Sequence, residues 1–239
     1  MVSPTLTQCR FDSGPGHHFY NMHPYQPPPH KQLNILYKDD YLLVIDKPSG
    51  LLSVPGRGPD KQDCMITRVQ ETYPEALIVH RLDMATSGIL VVARDKETHR
   101  LLSKQFQERK ISKQYIAVVT GRPRDDIGLI DQPMICDWPN RPKQIIDLEQ
   151  GKAAQTSYEV LEYLSESDTS RLALTPITGR THQLRLHCQF IGHPILGDQL
   201  YADEKTQTMA KRLLLHASII RFAHPVTGRP LTIKSAVPF

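Results

Sequence analysis

The chain has 239 residues, 39% hydrophobic and 23% charged, and 29 Lys and Arg against 25 Asp and Glu leave a net charge of +4. That length supports one large domain or two small ones, and so small a charge excess does not mark a nucleic-acid binder unless local clustering makes one. No stretch approaches the ~18 consecutive apolar residues of a membrane span, and Cys9, Cys64, Cys136 and Cys188 form no C-x-x-C pair, which argues against structural zinc or disulfides and suits a reducing cytosol.

The first 30 residues hold Pro4, Pro15, Pro24, Pro27, Pro28 and Pro29 with His17, His18, His23 and His30, and few aliphatic side chains. With little apolar surface to offset the entropy of ordering, they read as a flexible Pro/His-rich tail, 1–30, ahead of one domain, 31–239. Cys9, Arg10, Asp12, His17 and His18 stand where a signal peptide would have its apolar core, so the cytoplasm is the expected location.

Beyond Leu33, "NILYKDDYLLVIDKP" predicts two short strands around Lys38-Asp39-Asp40, stopped by Pro48. "SGLLSVPGRGPDK" is a Gly/Pro loop carrying Arg57 and Lys61, and residues 63–72 have modest helical periodicity through Met65, Ile66 and Val69. "EALIVH" and "SGILVVARD" predict buried strands, after which Asp95 caps a helix over about 96–109 with Leu101, Leu102 and Phe106 inward. "KQYIAVVTG" is the next strand, closed by Gly121 and Pro123, and "TSYEVLEYL" with "SRLALTPI" makes a hairpin. "THQLRLHCQFIGHP" predicts a helix, with Leu184, His187, Cys188 and Ile191 at i, i+3, i+4 and i+7. Gly192 suits its C′ position, and Pro194 prevents continuation. A short helix near 206–213 and strands near 214–222 and 230–236 complete the chain. Strands outnumber helices and several neighbours are joined by short loops. The expected fold class is therefore α+β, with a mixed, largely antiparallel central sheet and flanking helices and loops.

Three stretches place charge where a fold has no need of it. In "HRLD" (80–83) an Asp ends a strand, ordinary for a turn or cap, but extended backbone would send Arg81 to the same side. The pair is then either an exposed salt bridge of under ~1 kcal/mol or part of a cleft. In "TGRTHQLRLH" (178–187) Thr178 or Thr181 can cap the helix, and Gly179 and Arg180 stand beside its free N–H groups, a natural phosphate site. Arg180, His182, Arg185 and His187, with no acid among them, suit a face turned to an anion or the solvated side of an amphipathic helix. In "CDWPNRPKQ" (136–144) the lone Trp138 lies near Arg141 and Lys143. A stacking ring in a basic loop is how looped RNA is held, and an ordinary Pro-rich surface loop reads the same way. No nucleophile elbow or phosphate-cradling glycine loop occurs.

These residues carry a resemblance. "HRLDMATSG" is similar throughout to the H-R-L-D-x-x-T-S-G motif of the RluA family of pseudouridine synthases. Asp46-Lys47-Pro48 with "SGLLSVPGR", "TGRTHQLRLH" with "GHPILGDQLY", and "RLLLHA" (212–217) resemble its other motifs, so the likeness covers about residues 33–239. "CDWPNRPKQ" resembles the dual-specificity branch that acts on large-subunit rRNA and certain tRNAs. Asp46 departs from the family's usual Asn, and the Pro/His tail is extra. An S4-type RNA-binding domain, present in many relatives, is not expected.

The resemblance implies the pseudouridine synthase catalytic fold and site-specific isomerisation of uridine to pseudouridine in structured RNA, 23S rRNA and certain tRNA stem-loops. It implies a cytoplasmic monomer that needs no cofactor, metal or membrane. Asp83 is the implied catalytic aspartate, acting as nucleophile or as base toward a glycal, two routes the residues leave open. Arg185 is its implied partner, since a dry site disfavours an unpaired carboxylate. Tyr115 is implied to pack against the base and share in proton transfer, and Arg81 to fill the space left by a flipped uridine. Arg57, Arg141, Lys143, Arg180 and His182 are further candidates for RNA contact. One carboxylate suffices, unlike the two of glycoside hydrolases, because the uracil leaves as a stabilised anion and is recaptured. The rival is a non-catalytic RNA-binding protein that assists rRNA folding, for which Asp83→Asn is silent. An RNA N-glycosylase would instead release free uracil.

Overall fold

Fully covered strands need continuous apolar runs, and two such runs make the centre of the molecule. A computed structural model describes residues 25–239. In it β1 (Ile35–Lys38) turns into β2 (Leu42–Lys47) at Asp39, whose carboxylate accepts from the Tyr41 and Leu42 N–H groups. There follow α1 (Met65–Gln70), β3 (Leu77–Ile78), β4 (Ser87–Ala93), α2 (Lys96–Gln107) and β5 (Ser112–Thr120). Next come β6 (Ile127–Asp131), a small hairpin of β7 (Met134–Cys136) and β8 (Gln144–Ile146), then β9 (Gln155–Leu164) and β10 (Thr169–Pro176). The chain closes with α3 (Gln183–Phe190), α4 (Glu204–Thr208), β11 (Leu215–Ala223) and β12 (Pro230–Lys234). The runs in β2 and β4 are buried along nearly their whole length.

The main sheet runs β1-β2-β4-β11-β5-β10-β9-β6, with β12 paired to β11 and β3 to β4. Its pairings are antiparallel except β4 with β11. This is the mixed, largely antiparallel α+β sheet expected. The parallel contact registers His216 with Ser87 and Ala217 with Gly88. Gly88 has φ 109°, and a Cβ there would lie 2.3 Å from the Ala217 carbonyl oxygen, so only glycine lets β4 begin this close to β11. Apolar side chains gather in two main bodies, one around β2, β4 and α1, the other around β5, β10 and α3, with a third small group of Met134, Ala154 and Leu186, and Tyr115 packs against both main bodies. The seam between them holds the site.

Two expectations need correction. Residues 25–30, assigned to the flexible tail, are tied to the domain. The Tyr25 hydroxyl donates to the Asp63 carbonyl at 2.9 Å and accepts from the Leu52 N–H at 3.0 Å. Arg68, only 5% exposed, spends its fork on Asp63 and on the Pro28 carbonyl, 2.7 Å away. Its buried donors need more acceptors than one carboxylate offers, and prolines keep their carbonyls free. The rest of that tail, 1–24, lies outside the described residues. The second correction concerns 127–146, where β6 and the β7–β8 hairpin form strands that the scattered Gly, Pro and Asp had hidden; "CDWPNRPKQ" is largely the turn of that hairpin.

Candidate active site

Asp83 sits on the connection between β3 and β4, whose backbone is pinned on both sides of it. Ser53 Oγ donates to the Leu82 carbonyl at 2.7 Å and accepts from the Leu82 N–H at 3.1 Å. Ser49 Oγ donates to the Ala85 carbonyl at 2.6 Å, and the Gly50 N–H to that of Met84 at 2.9 Å. Lys47, fully buried, donates to the carbonyls of Pro48, Leu51 and Met84 at 2.8, 2.7 and 3.2 Å. An ammonium has three N–H donors, and here each has an acceptor. Burial pushes Lys47 down to about 7, opposed by the charge of Asp83. Leu82 faces the core while the Asp83 side chain, 25% exposed, faces a cavity.

That cavity has a volume of about 570 Å³. Asp83 is the one acid lining it among the described residues, against the cations Arg81, Arg109, Lys113, Arg180 and Arg185. Arg81 is exposed and forms no ion pair with Asp83 among the described residues, so the salt-bridge reading of "HRLD" gives way to the cleft. Tyr115 lines the cavity from β5, its phenol pushed up by burial and by the Asp83 charge. Lys113, two residues earlier and so on the same face of the strand, holds its ammonium 6.0 Å from the Phe106 ring, and burial lowers its pKa. His80 stacks on that ring at 4.6 Å and accepts from the Val91 N–H at 3.0 Å, with burial pushing it down to about 3.

The α3 side departs from expectation. Neither Thr178 nor Thr181 caps the helix; the N-cap is His182, with φ 57°. The Thr178 hydroxyl donates to Gln183 Oε1 at 2.8 Å, which also accepts from the Arg180 N–H at 3.0 Å. Arg185 does not pair with Asp83. Its Nε and Nη2 donate to the two oxygens of Asp198 at 2.7 and 2.5 Å. Asp198 is fully buried and accepts also from the Leu200 N–H at 2.9 Å. A buried carboxylate demands such a fork, so Arg185 acts on Asp83 only through its field. His187 bridges the Thr156 hydroxyl at 2.9 Å and the Gln132 carbonyl at 3.1 Å, away from the cavity. Of the four basic residues, Arg180, His182 and Arg185 therefore line the cavity and His187 does not.

Among the described residues His182 is the one basic side chain within 4.0 Å of the Asp83 carboxylate, Nε2 to Oδ1, and its Nδ1 is 2.8 Å from the Tyr201 oxygen. Arg57, Arg141 and Lys143 do not line the cavity. Arg141 instead lies over the Trp138 ring at 4.5 Å, on a turn where that ring is 67% exposed. His216 is structural, buried between the Ser87 hydroxyl at 2.9 Å and that of Ser235 at 3.0 Å. Sequence reasoning missed Lys47, Lys113, Asp198 and Tyr201 as site residues. Three of them lay in quoted motifs, but a motif letter does not say which side chains it bonds.

A family model described as RNA pseudouridylate synthase matches residues 41–190. The chain is 54% identical over 218 residues to the dual-specificity RNA pseudouridine synthase RluA of Escherichia coli, covering 91% of this chain and 99% of that one. To the protein of the same name from Haemophilus influenzae it is 48% identical over 215 residues, 90% and 98% of the two chains. Among solved structures it is similar to human RNA pseudouridylate synthase domain containing 1, with TM-score 0.74, 29% identity and coverage of 90% and 87%. The corresponding human domain containing 4 gives TM-score 0.69 at 26% identity, covering 86% and 88%.

Proposed function

The chain belongs to the RNA pseudouridylate synthase family, and we propose that Asp83 is the residue with which it isomerises uridine to pseudouridine in structured RNA, with 23S rRNA and tRNA stem-loops as substrates. The observation that carries the role of Asp83 is one carboxylate facing five cations around a cavity of about 570 Å³. The cations attract the polyanionic backbone, and an extruded nucleoside meets a single carboxylate, able to attack or to take a proton. The N-glycosidic bond breaks, the uracil leaves as an anion that nearby positive charge stabilises, and it rejoins the sugar through C5, whose proton is lost to a base or solvent while N1 takes one up. No second carboxylate is needed, because no water has to be activated.

The other roles follow from the same arrangement. Tyr115, kept protonated by burial, packs against the base and exchanges a proton with it. Arg185, committed to Asp198, stabilises the charge of Asp83 without pairing it off. Arg81, exposed beside Asp83, fills the place of the flipped nucleotide. Arg180 and His182 contact RNA within the cavity, and Arg57, Arg141 and Lys143 contact it outside. One domain from Tyr25 onward does this as a monomer in the cytoplasm; among the described residues no helix is long and apolar enough to cross a membrane.

The test is pseudouridine formation on rRNA and tRNA transcripts, followed by tritium release from C5 of uridine. Wild-type protein is expected to form pseudouridine, and Asp83→Asn to lose at least about 10³-fold in rate while binding RNA as before. Activity persisting in Asp83→Asn, or free uracil appearing as the product, overturns the reading.

A further inference from the structure

A chain of polar contacts ends on Asp83. The Gln144 N–H, at the start of β8, donates to the Tyr201 phenol oxygen at 2.8 Å. That oxygen lies 2.8 Å from His182 Nδ1, and His182 Nε2 lies 4.0 Å from Asp83 Oδ1. Burial pushes the Tyr201 phenol up to about 12, so it keeps its proton at neutral pH, and a half-buried hydroxyl proton needs an acceptor. The Gln144 N–H can only donate, so among the described residues the one hydrogen-bonded neighbour able to take that proton is His182 Nδ1, provided the ring leaves it unprotonated. The ring's own proton therefore sits on Nε2, the nitrogen nearest Asp83. The backbone beneath is equally constrained: φ 57° at a histidine persists only where the surroundings impose it.

Resting on the reading of Asp83 as the reacting carboxylate, we infer that His182 is a neutral hydrogen-bond donor that orients this carboxylate, and that Tyr201 is the positioning residue that fixes its tautomer. A separation of 4.0 Å exceeds a hydrogen bond, and catalytic hydrogen bonds commonly close only when substrate is bound. A neutral donor fits the task. It turns one carboxylate oxygen without cancelling the charge that the other presents to the uridine, whereas an imidazolium would form an ion pair. Burial lowers the pKa of the ring; Arg185 and Arg81 act with it, Asp83 and Asp198 against it. The bond to Gln144 makes the hairpin that carries Trp138 a support of the same geometry.

Nitrogen-15 spectra of the full chain, with His182 identified by its loss in His182→Gln, read the tautomer directly. The expected ring is protonated at Nε2 alone at neutral pH and is less charged at pH 6.5 than an ordinary histidine, which is half charged there. A ring protonated at Nδ1 alone, or at both nitrogens, overturns the inference. Tyr201→Phe is expected to mix the tautomers and lower kcat about tenfold with RNA affinity unchanged. His182→Gln, whose amide N–H takes the place of Nε2, is expected to keep more kcat than His182→Asn, which fills the Nδ1 side. A tautomer unmoved in Tyr201→Phe, or equal losses in the two His182 variants, counts against it as firmly. The tautomer is read without RNA, so a wild-type protein that makes no pseudouridine sinks the functional reading and is distinguishable from failure here.

Discussion

Inside the wall of the cavity the Lys47 ammonium reaches three carbonyls and the Arg185 fork both oxygens of Asp198. At the rim Arg81 stands exposed, and away from the cavity Arg141 lies over the largely exposed ring of Trp138. Desolvation accounts for the difference. A cation taken out of water costs several kcal/mol unless its donors are satisfied, so the interior ones are saturated by the protein and shape the site from behind. Rim cations stay hydrated and can exchange that water for phosphate. Positive charge thus divides into a set spent on buried partners and a set left exposed, and the division is open to measurement.

The largest effect should come from the interior set. Asp198→Asn leaves the buried Arg185 guanidinium without its counter-charge and is expected to cost about 3–5 kcal/mol in urea unfolding; a cost under about 1 kcal/mol, typical of an exposed pair, would erase the distinction. Arg81→Ala should leave folding stability within about 0.5 kcal/mol of wild type and lower kcat roughly 10- to 100-fold, because base extrusion costs a few kcal/mol that this side chain helps to offset. Smallest is Arg141→Ala, with a few-fold loss of RNA affinity and a salt slope shallower by about one, read from binding isotherms at several ionic strengths. Equal affinity losses with unchanged slopes in Arg81→Ala and Arg141→Ala would show that the rim does not divide its work this way.

Much of the fold was legible because its signals are local. Asp95 caps α2 by accepting from the Thr98 N–H at 2.8 Å, Gly192 with φ 82° follows the end of α3, and Pro48 follows β2 directly. Asp83, Arg81, Tyr115, Arg180, His182 and Arg185, taken from motifs far apart in the chain, all line one cavity. What the residues left open was which partner each basic side chain takes. Arg185 is 13 residues from Asp198, and only the turns between them bring the fork to the carboxylate. Thr178 looked like a helix cap, yet its hydroxyl serves Gln183. Pro28, read as tail, lends its carbonyl to Arg68, 40 residues on.

The sequence by itself determined most of the strands and the N-cap of α2, as well as the family, because periodicity, turn residues and contiguous motifs are written along the chain. Only the tertiary structure decided which cations are spent internally and which stay exposed, and which nitrogen of His182 faces Asp83. Those outcomes depend on burial and on hydrogen-bond partners many residues away, and a side chain's charge is available to a ligand only after the fold has satisfied its own buried groups.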